Sequence, residues 1–163
     1  MIDAKLEVVN AKEHEMTQLL ATLKLTAARK PRALPDVVKR RQKLLRKLGE
    51  QRELAAAQSA GGNYVPMRLR TVKDAQTGER VVREMPVRIK PWWWTGEKGE
   101  TLLSVFYGSK TLELGKGKTA IEISNSKDLV SVLDVLINAT QNAELDTQIE
   151  NASVKLRDGF KSK

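Results

Sequence analysis

Apolar residues recur at helical spacing at two places near the start of the chain. Leu6, Val9, Met16, Leu19, Leu20 and Leu23 alternate with charged residues in this way, which predicts a helix over 3–25. Pro31 and Pro35 forbid its continuation, so Thr26–Pro35 is a break. A second helix is expected from Asp36 to about Ala57, with Pro35 or Asp36 in its first turn. Its apolar positions are Val37, Val38, Leu44, Leu45, Leu48 and Leu54, and Gly49 weakens it in mid-course. The run Ser59-Ala60-Gly61-Gly62-Asn63 then reads as a linker.

From Tyr64 the period falls to two, the spacing of strands. YVPMRLRTVK and ERVVREMPVRIK predict a hairpin around Gln76-Thr77-Gly78, a three-residue loop with Gly last. That loop sets Ala75 opposite Glu79, Leu69 opposite Met85, Met67 opposite Val87 and Val65 opposite Ile89. On the other face Arg70 meets Glu84, and Arg68 and Arg88 share a side. Gly96-Glu97-Lys98-Gly99 is the next turn. Gly108-Ser109 is a two-residue loop with Gly first, pairing Val105 with Leu112 and Leu103 with Leu114. A turn at Gly115–Lys118 then brings Ile121 beside Leu112. Leu103, Val105, Leu112, Leu114, Ile121 and Ile123 form an apolar face that needs a cover. Ser124-Asn125-Ser126 offers caps for a helix carrying Leu129, Val130, Leu133, Leu136 and Ile137 to about Thr140. A last helix after Asn142 carries Leu145, Ile149, Ala152 and Leu156. The expected class is α+β, with N-terminal helices, an antiparallel meander of about five strands, and C-terminal helices covering one face. Residues 1–60 would be a basic helical arm, and 61–163 the sheet with its helices.

Composition narrows the chemistry. The 163 residues contain no cysteine, which excludes disulfides and the usual cysteine-containing zinc sites. The first residues are charged throughout and lack the apolar core of a signal peptide, and no apolar run is long enough for a membrane span. A cytoplasmic protein is expected, in the host cytoplasm if its origin is viral. The net charge is +9, yet residues 101–163 carry eight basic and eight acidic groups. The whole excess lies in the first hundred residues, as in a polyanion-binding front end on a neutral scaffold.

Catalytic signatures are missing. The single histidine, His14, stands between Glu13 and Glu15 on a charged helix face with no nucleophile nearby. Glu113 and Glu122 face outward on neighbouring strands, where a solvated sheet surface explains them as well as acid–base chemistry does. GSKTLELGKGK departs from the GxxxxGK[ST] phosphate loop and joins two strands. No enzyme, metal or cofactor is implied.

Binding has more support. Lys39, Arg40, Arg41, Lys43, Arg46 and Lys47 put six cations in nine residues without an acid. Lys39, Lys43, Arg46 and Lys47 share a broad helical face that could follow a phosphate backbone, lie on an anionic membrane, or simply be solvated. Arg68, Arg70, Arg88 and Lys90 project away from the apolar face of the hairpin, Arg70 neutralised by Glu84. Trp92, Trp93 and Trp94 are all the tryptophans of the chain. Neighbouring strand residues point to opposite faces, so one indole at least must leave the core. A straight strand through Pro91 turns Trp92 and Trp94 outward; pairing Trp94 with Thr101 turns Trp93 outward instead. Rings beside cations suit stacked bases of single-stranded nucleic acid.

The strands ending in GKGKTAIEI and the following SNSKDLVSVLDVLINA resemble, over about residues 79–140, the transcriptional-coactivator-like single-stranded-DNA-binding fold. That resemblance implies a curved four-stranded sheet, a covering helix through which two copies pair, and single strands held by basic and aromatic sheet residues. The stretch from MPVRIKPWWWTGEKGE to LRDGF is similar to an uncharacterised family of small basic phage and prophage proteins. The expected function is non-enzymatic binding of single-stranded DNA or RNA. The alternative is a phage-type accessory or inhibitor that docks on a host protein through exposed Trp and Arg. A third is an assembly role, with the 145–156 stripe as the seam of a homodimer.

Overall fold

The computed structural model describes residues 20–161. The helix expected over 3–25 and His14 fall outside them, save for the last residues of that helix. The first helix of the compact unit, α1, spans Asp36–Ser59, behind Pro35 and with Asp36 in its first turn. It ends where Gly61 enters the left-handed region and Gly62 N–H reaches back to the Ala57 carbonyl at 2.8 Å. Gly49 does not interrupt it. Leu44, Leu48, Gln51, Leu54 and Ala55 are its buried stripe. The unit to which α1 belongs runs Leu34–Lys163, so this helix is a wall of the core rather than an arm attached to it.

Strands β1 (Met67–Lys73) and β2 (Arg80–Pro86) form the hairpin, but with a register shifted by one residue from the expected one. Leu69 faces Glu84, Arg68 faces Met85, Arg70 faces Arg83 and Lys73 faces Arg80. The cause is Asp74. Its carboxylate accepts the N–H of Gln76 at 2.8 Å and of Thr77 at 3.2 Å, and Gly78 N–H bonds the Asp74 carbonyl. These bonds enlarge the loop to Ala75–Gly78, with Gly78 at φ 73°. Neither face of the ribbon is buried, so no core pattern opposes the shift.

The next three strands form one small sheet in the order β3-β4-β7: β3 (Trp93–Thr95), β4 (Thr101–Leu103) and β7 (Ile121–Ile123). Gly96 and Glu100 bond across a three-residue loop that ends in Gly99 at φ 80°. This sets Trp93 opposite Leu103 and Trp94 opposite Leu102, again one residue from the expected pairing. Strands β5 (Phe106–Tyr107) and β6 (Lys110–Thr111) pair around Gly108-Ser109, and Leu112 N–H bonds the Val105 carbonyl at 2.8 Å, as the loop required. The meander itself is not formed. Ile121 lies opposite Leu103, not Leu112, because the chain from Leu112 folds back through its own turn at Gly115–Lys118 before rejoining β4. The strands thus lie in three sheets rather than the continuous four-stranded one that the coactivator resemblance implies.

Helices α2 (Leu129–Gln141) and α3 (Asp146–Lys161) follow, near the predicted places. Asn125 caps the short 3-10 turn Ser126–Asp128 that leads into α2. Leu44 and Leu48 of α1 share one core with Leu103, Val105, Leu112, Ile123, Leu133, Leu136, Ile149 and Ala152. The stripe of α3 is therefore buried within its own chain. The architecture is α+β, with helices before and after a region of small antiparallel sheets. No described helix is long and apolar enough to cross a membrane.

Candidate nucleic-acid interface

The side of α1 next to its buried stripe carries Lys43 and Lys47, one turn apart. Across from it runs the irregular segment between β2 and β3, which carries Arg88, Lys90 and Trp92. Gln51 fixes that segment. Only 3% exposed, its amide donates to the Lys90 carbonyl at 3.0 Å and accepts the Trp92 N–H at 2.9 Å. Pro91, between these two groups, has no N–H to satisfy. One helical side chain thus completes the backbone bonding on both sides of the proline.

The result is a cleft of about 290 Å³ into which Lys43, Lys47, Arg68, Arg88, Lys90 and Trp92 converge, with Phe106 and Tyr107 as further aromatic walls. Trp92 and Phe106 pack tilted at 59° with centroids 5.7 Å apart. Lys43 lies over the Tyr107 ring, its Nζ 4.9 Å from the centroid. Burial pushes the Tyr107 hydroxyl up from its ordinary pKa against the opposing charge of Arg40, so the ring stays neutral at physiological pH. A single carboxylate, Glu50, lies among the lining residues. It takes Lys47 at 3.1 Å on one oxygen and Arg68 on the other. Arg46 joins Lys47, Glu50 and Arg68 around an adjoining hollow of about 280 Å³.

The other candidates lie elsewhere. Lys39 pairs with Asp36 at 3.3 Å on the surface, and Arg40 is bound to Glu150 of α3. Arg70 stands out on the hairpin opposite Arg83 and not opposite Glu84, so the neutralising partner expected for it is absent from that position. Trp93 packs half-buried against the core, while Trp94 is 46% exposed, on the sheet face it shares with Leu102. The triplet therefore divides three ways: Trp92 into the cleft, Trp93 to the core and Trp94 to solvent. The division with Trp93 inside and Trp92 and Trp94 out comes close to this, although Trp92 also packs against the core and the chain bends onto Gln51 instead of running straight through Pro91.

Among the described residues, Arg46, Arg70, Arg88 and Lys90 take part in no ion pair. Glu113 accepts the Gly117 N–H at 2.7 Å, so a backbone donor that a phosphate loop would need is occupied by a carboxylate. No group of three or more His, Cys, Asp or Glu among the described residues could hold a metal ion. Sequence reasoning missed Glu50, Gln51, Phe106 and Tyr107. Gln51 had a legible signal, being the polar member of the stripe Leu44, Leu48, Gln51, Ala55. Glu50 showed only its helical neighbour Lys47, because its second partner, Arg68, comes from another element.

Searches against curated proteins and solved structures return no match. A family model does match, across residues 10–149, and the chain accordingly belongs to DUF6641, a family of unknown function.

Proposed function

We propose that this protein binds nucleic acid without catalysis, holding a single strand in the cleft between α1 and the Arg88–Trp92 segment. The observation that supports this most is the convergence of Lys43 and Lys47 from α1, Arg68 from β1, and Arg88 and Lys90 from the segment after β2, on an aromatic-walled cleft. A cleft of about 290 Å³ is at the small end of ligand pockets. It has room for an unstacked base against Trp92, with the flanking phosphates on the cations. The likeness to small basic phage and prophage proteins fits a role in handling a mobile genome.

The test is a titration of the full chain with single-stranded oligonucleotides at two salt concentrations, read by tryptophan emission. Quenching is expected, with log affinity falling against log salt at a slope of roughly −2 to −4 for five cations and a single strand. Trp92→Leu should abolish the quenching, and Lys43→Ala with Arg88→Ala should flatten the slope. Binding that ignores salt and leaves Trp92 emission unchanged would sink the reading. A second reading, docking on a host protein, draws on Trp94, which stands exposed beside Leu102 outside the cleft. A stoichiometric protein partner captured from nuclease-treated lysate, and lost with Trp94→Ala, would favour it.

A further inference from the structure

The register that the Asp74 loop sets leaves the β1–β2 hairpin with a charge arrangement that works against its pairing. Directly opposed like charges weaken a strand pair, yet the observed register creates two such pairs, Arg70 with Arg83 and Lys73 with Arg80. A shift of one residue would have set Arg70 against Glu84 and Arg80 against Asp74 instead. Alternation along the strands puts the two cation pairs on opposite faces. Asp74 relieves Arg83, at 2.8 Å; among the described residues Arg70, Lys73 and Arg80 have no ion-pair partner. The ribbon is also unsheltered. Leu69 is 69% and Val82 63% exposed, on the same face as Lys73 and Arg80.

We infer that this hairpin is an arm for the major groove of B-form DNA, a role that rests on the nucleic-acid reading above. A one-sided anionic partner would account for cations on one face only. A groove has an anionic wall on each side. Each strand of seven residues spans about 24 Å. A two-stranded ribbon is about 10 Å thick with its side chains, and the B-DNA major groove is about 12 Å wide and accepts such ribbons. With the ribbon seated there, Arg70 and the Lys73–Arg80 pair face opposite phosphate walls, and Leu69 and Val82, on the Lys73 face with Glu84 as its one acid, lie against the sugars of that wall. The A-form major groove is too deep and narrow for this. Arm and cleft together suit a junction, with duplex on the ribbon and a displaced strand beside Trp92.

The test compares four probes on the full chain: a single strand, a blunt DNA duplex, the same duplex with a single-stranded tail, and an RNA duplex. The tailed DNA duplex should bind at least roughly tenfold more tightly than the single strand. Lys73→Ala with Arg80→Ala should remove most of that gain and flatten the salt slope on the tailed duplex by about 1.8. The same variant should keep wild-type affinity for the single strand. Its Tm should be unchanged or higher, because a repulsive pair is gone; a hairpin whose cations only served stability would show a lower one. A tailed duplex bound no better than the single strand overturns the arm and leaves the cleft reading standing. So does an RNA duplex bound as tightly as DNA. Duplex binding that survives Lys43→Ala with Trp92→Leu supports the arm, and loss of the single-strand signal in that variant supports the cleft; an unaltered chain that binds the duplex but no single strand counts against the cleft alone.

Discussion

Replacing Gln51 with alanine would strip the Lys90 carbonyl and the Trp92 amide of their partners at once. A fully buried backbone group left unpaired costs about 1–3 kcal/mol; these two bonds are part-buried, so Gln51→Ala should cost less than that full penalty and lower the denaturation midpoint accordingly. It should also shift Trp92 emission, since the indole loses its anchor. Glu50 acts in the opposite sense. As the one carboxylate in a ring of cations, it holds Lys47 and Arg68 and lowers the cleft's potential. Glu50→Gln should therefore raise affinity for a single-stranded oligonucleotide by roughly threefold to tenfold at low salt, measured by the same fluorescence titration. The sequence exposed Arg88, Lys90 and Trp92 readily, because cations beside aromatics stand out in a chain with few rings. Gln51 stood out only as a polar residue in an apolar stripe, and its partners, like Arg68 for Glu50, lie 18 to 41 positions away.

Local loop chemistry decided more about the strands than their hydrophobic pattern did. Both hairpin loops between residues 74 and 100 end in a glycine at positive φ. The second follows the three-residue form, and the first does not, because Asp74 ties up two loop amides. Those amides hold the Asp74 carboxyl below the ordinary carboxylate range, Gln76 contributing most and Thr77 next. A lowered folded-state pKa means that this stabilisation is complete above the unfolded carboxylate's pKa and is lost as pH falls through the lower, folded value. Acidification should therefore loosen the loop, seen as faster exchange of the Gln76 and Thr77 amides, while Asp74→Ala should show no such dependence. Helices α1 and α2 were legible almost to the residue, since each buries a stripe and stops at a glycine or a polar turn. Strand register was legible only around Gly108-Ser109, because β1 and β2 bury neither face and the remaining strands are only two or three residues long.

At the scale of the molecule, the basic run on α1 serves two purposes that its sequence does not separate. Arg40 and Arg41 turn to Glu150 and Asp146 and fasten α1 to α3, while Arg52 reaches Asp134 of α2 at 2.5 Å. Lys43 and Lys47 turn to the cleft. Arg41→Ala should accordingly lower Tm with little change in oligonucleotide affinity, whereas Lys43→Ala should do the reverse; paired melting and titration would show it. Strand order was illegible for a related reason. Adjacent strands were assumed to pair in sequence, but β7 reaches past the β5–β6 hairpin to β4, where Ile121 and Ile123 join the core under α2. The division of the tryptophan run gives the protein a built-in set of optical reporters. An aqueous quencher such as acrylamide should extinguish Trp94 first and the half-buried Trp93 more slowly, reaching it fully on unfolding, with Trp92 protected when a base occupies its place. Three consecutive codons could thus report solvent access, core integrity and occupancy in one sample.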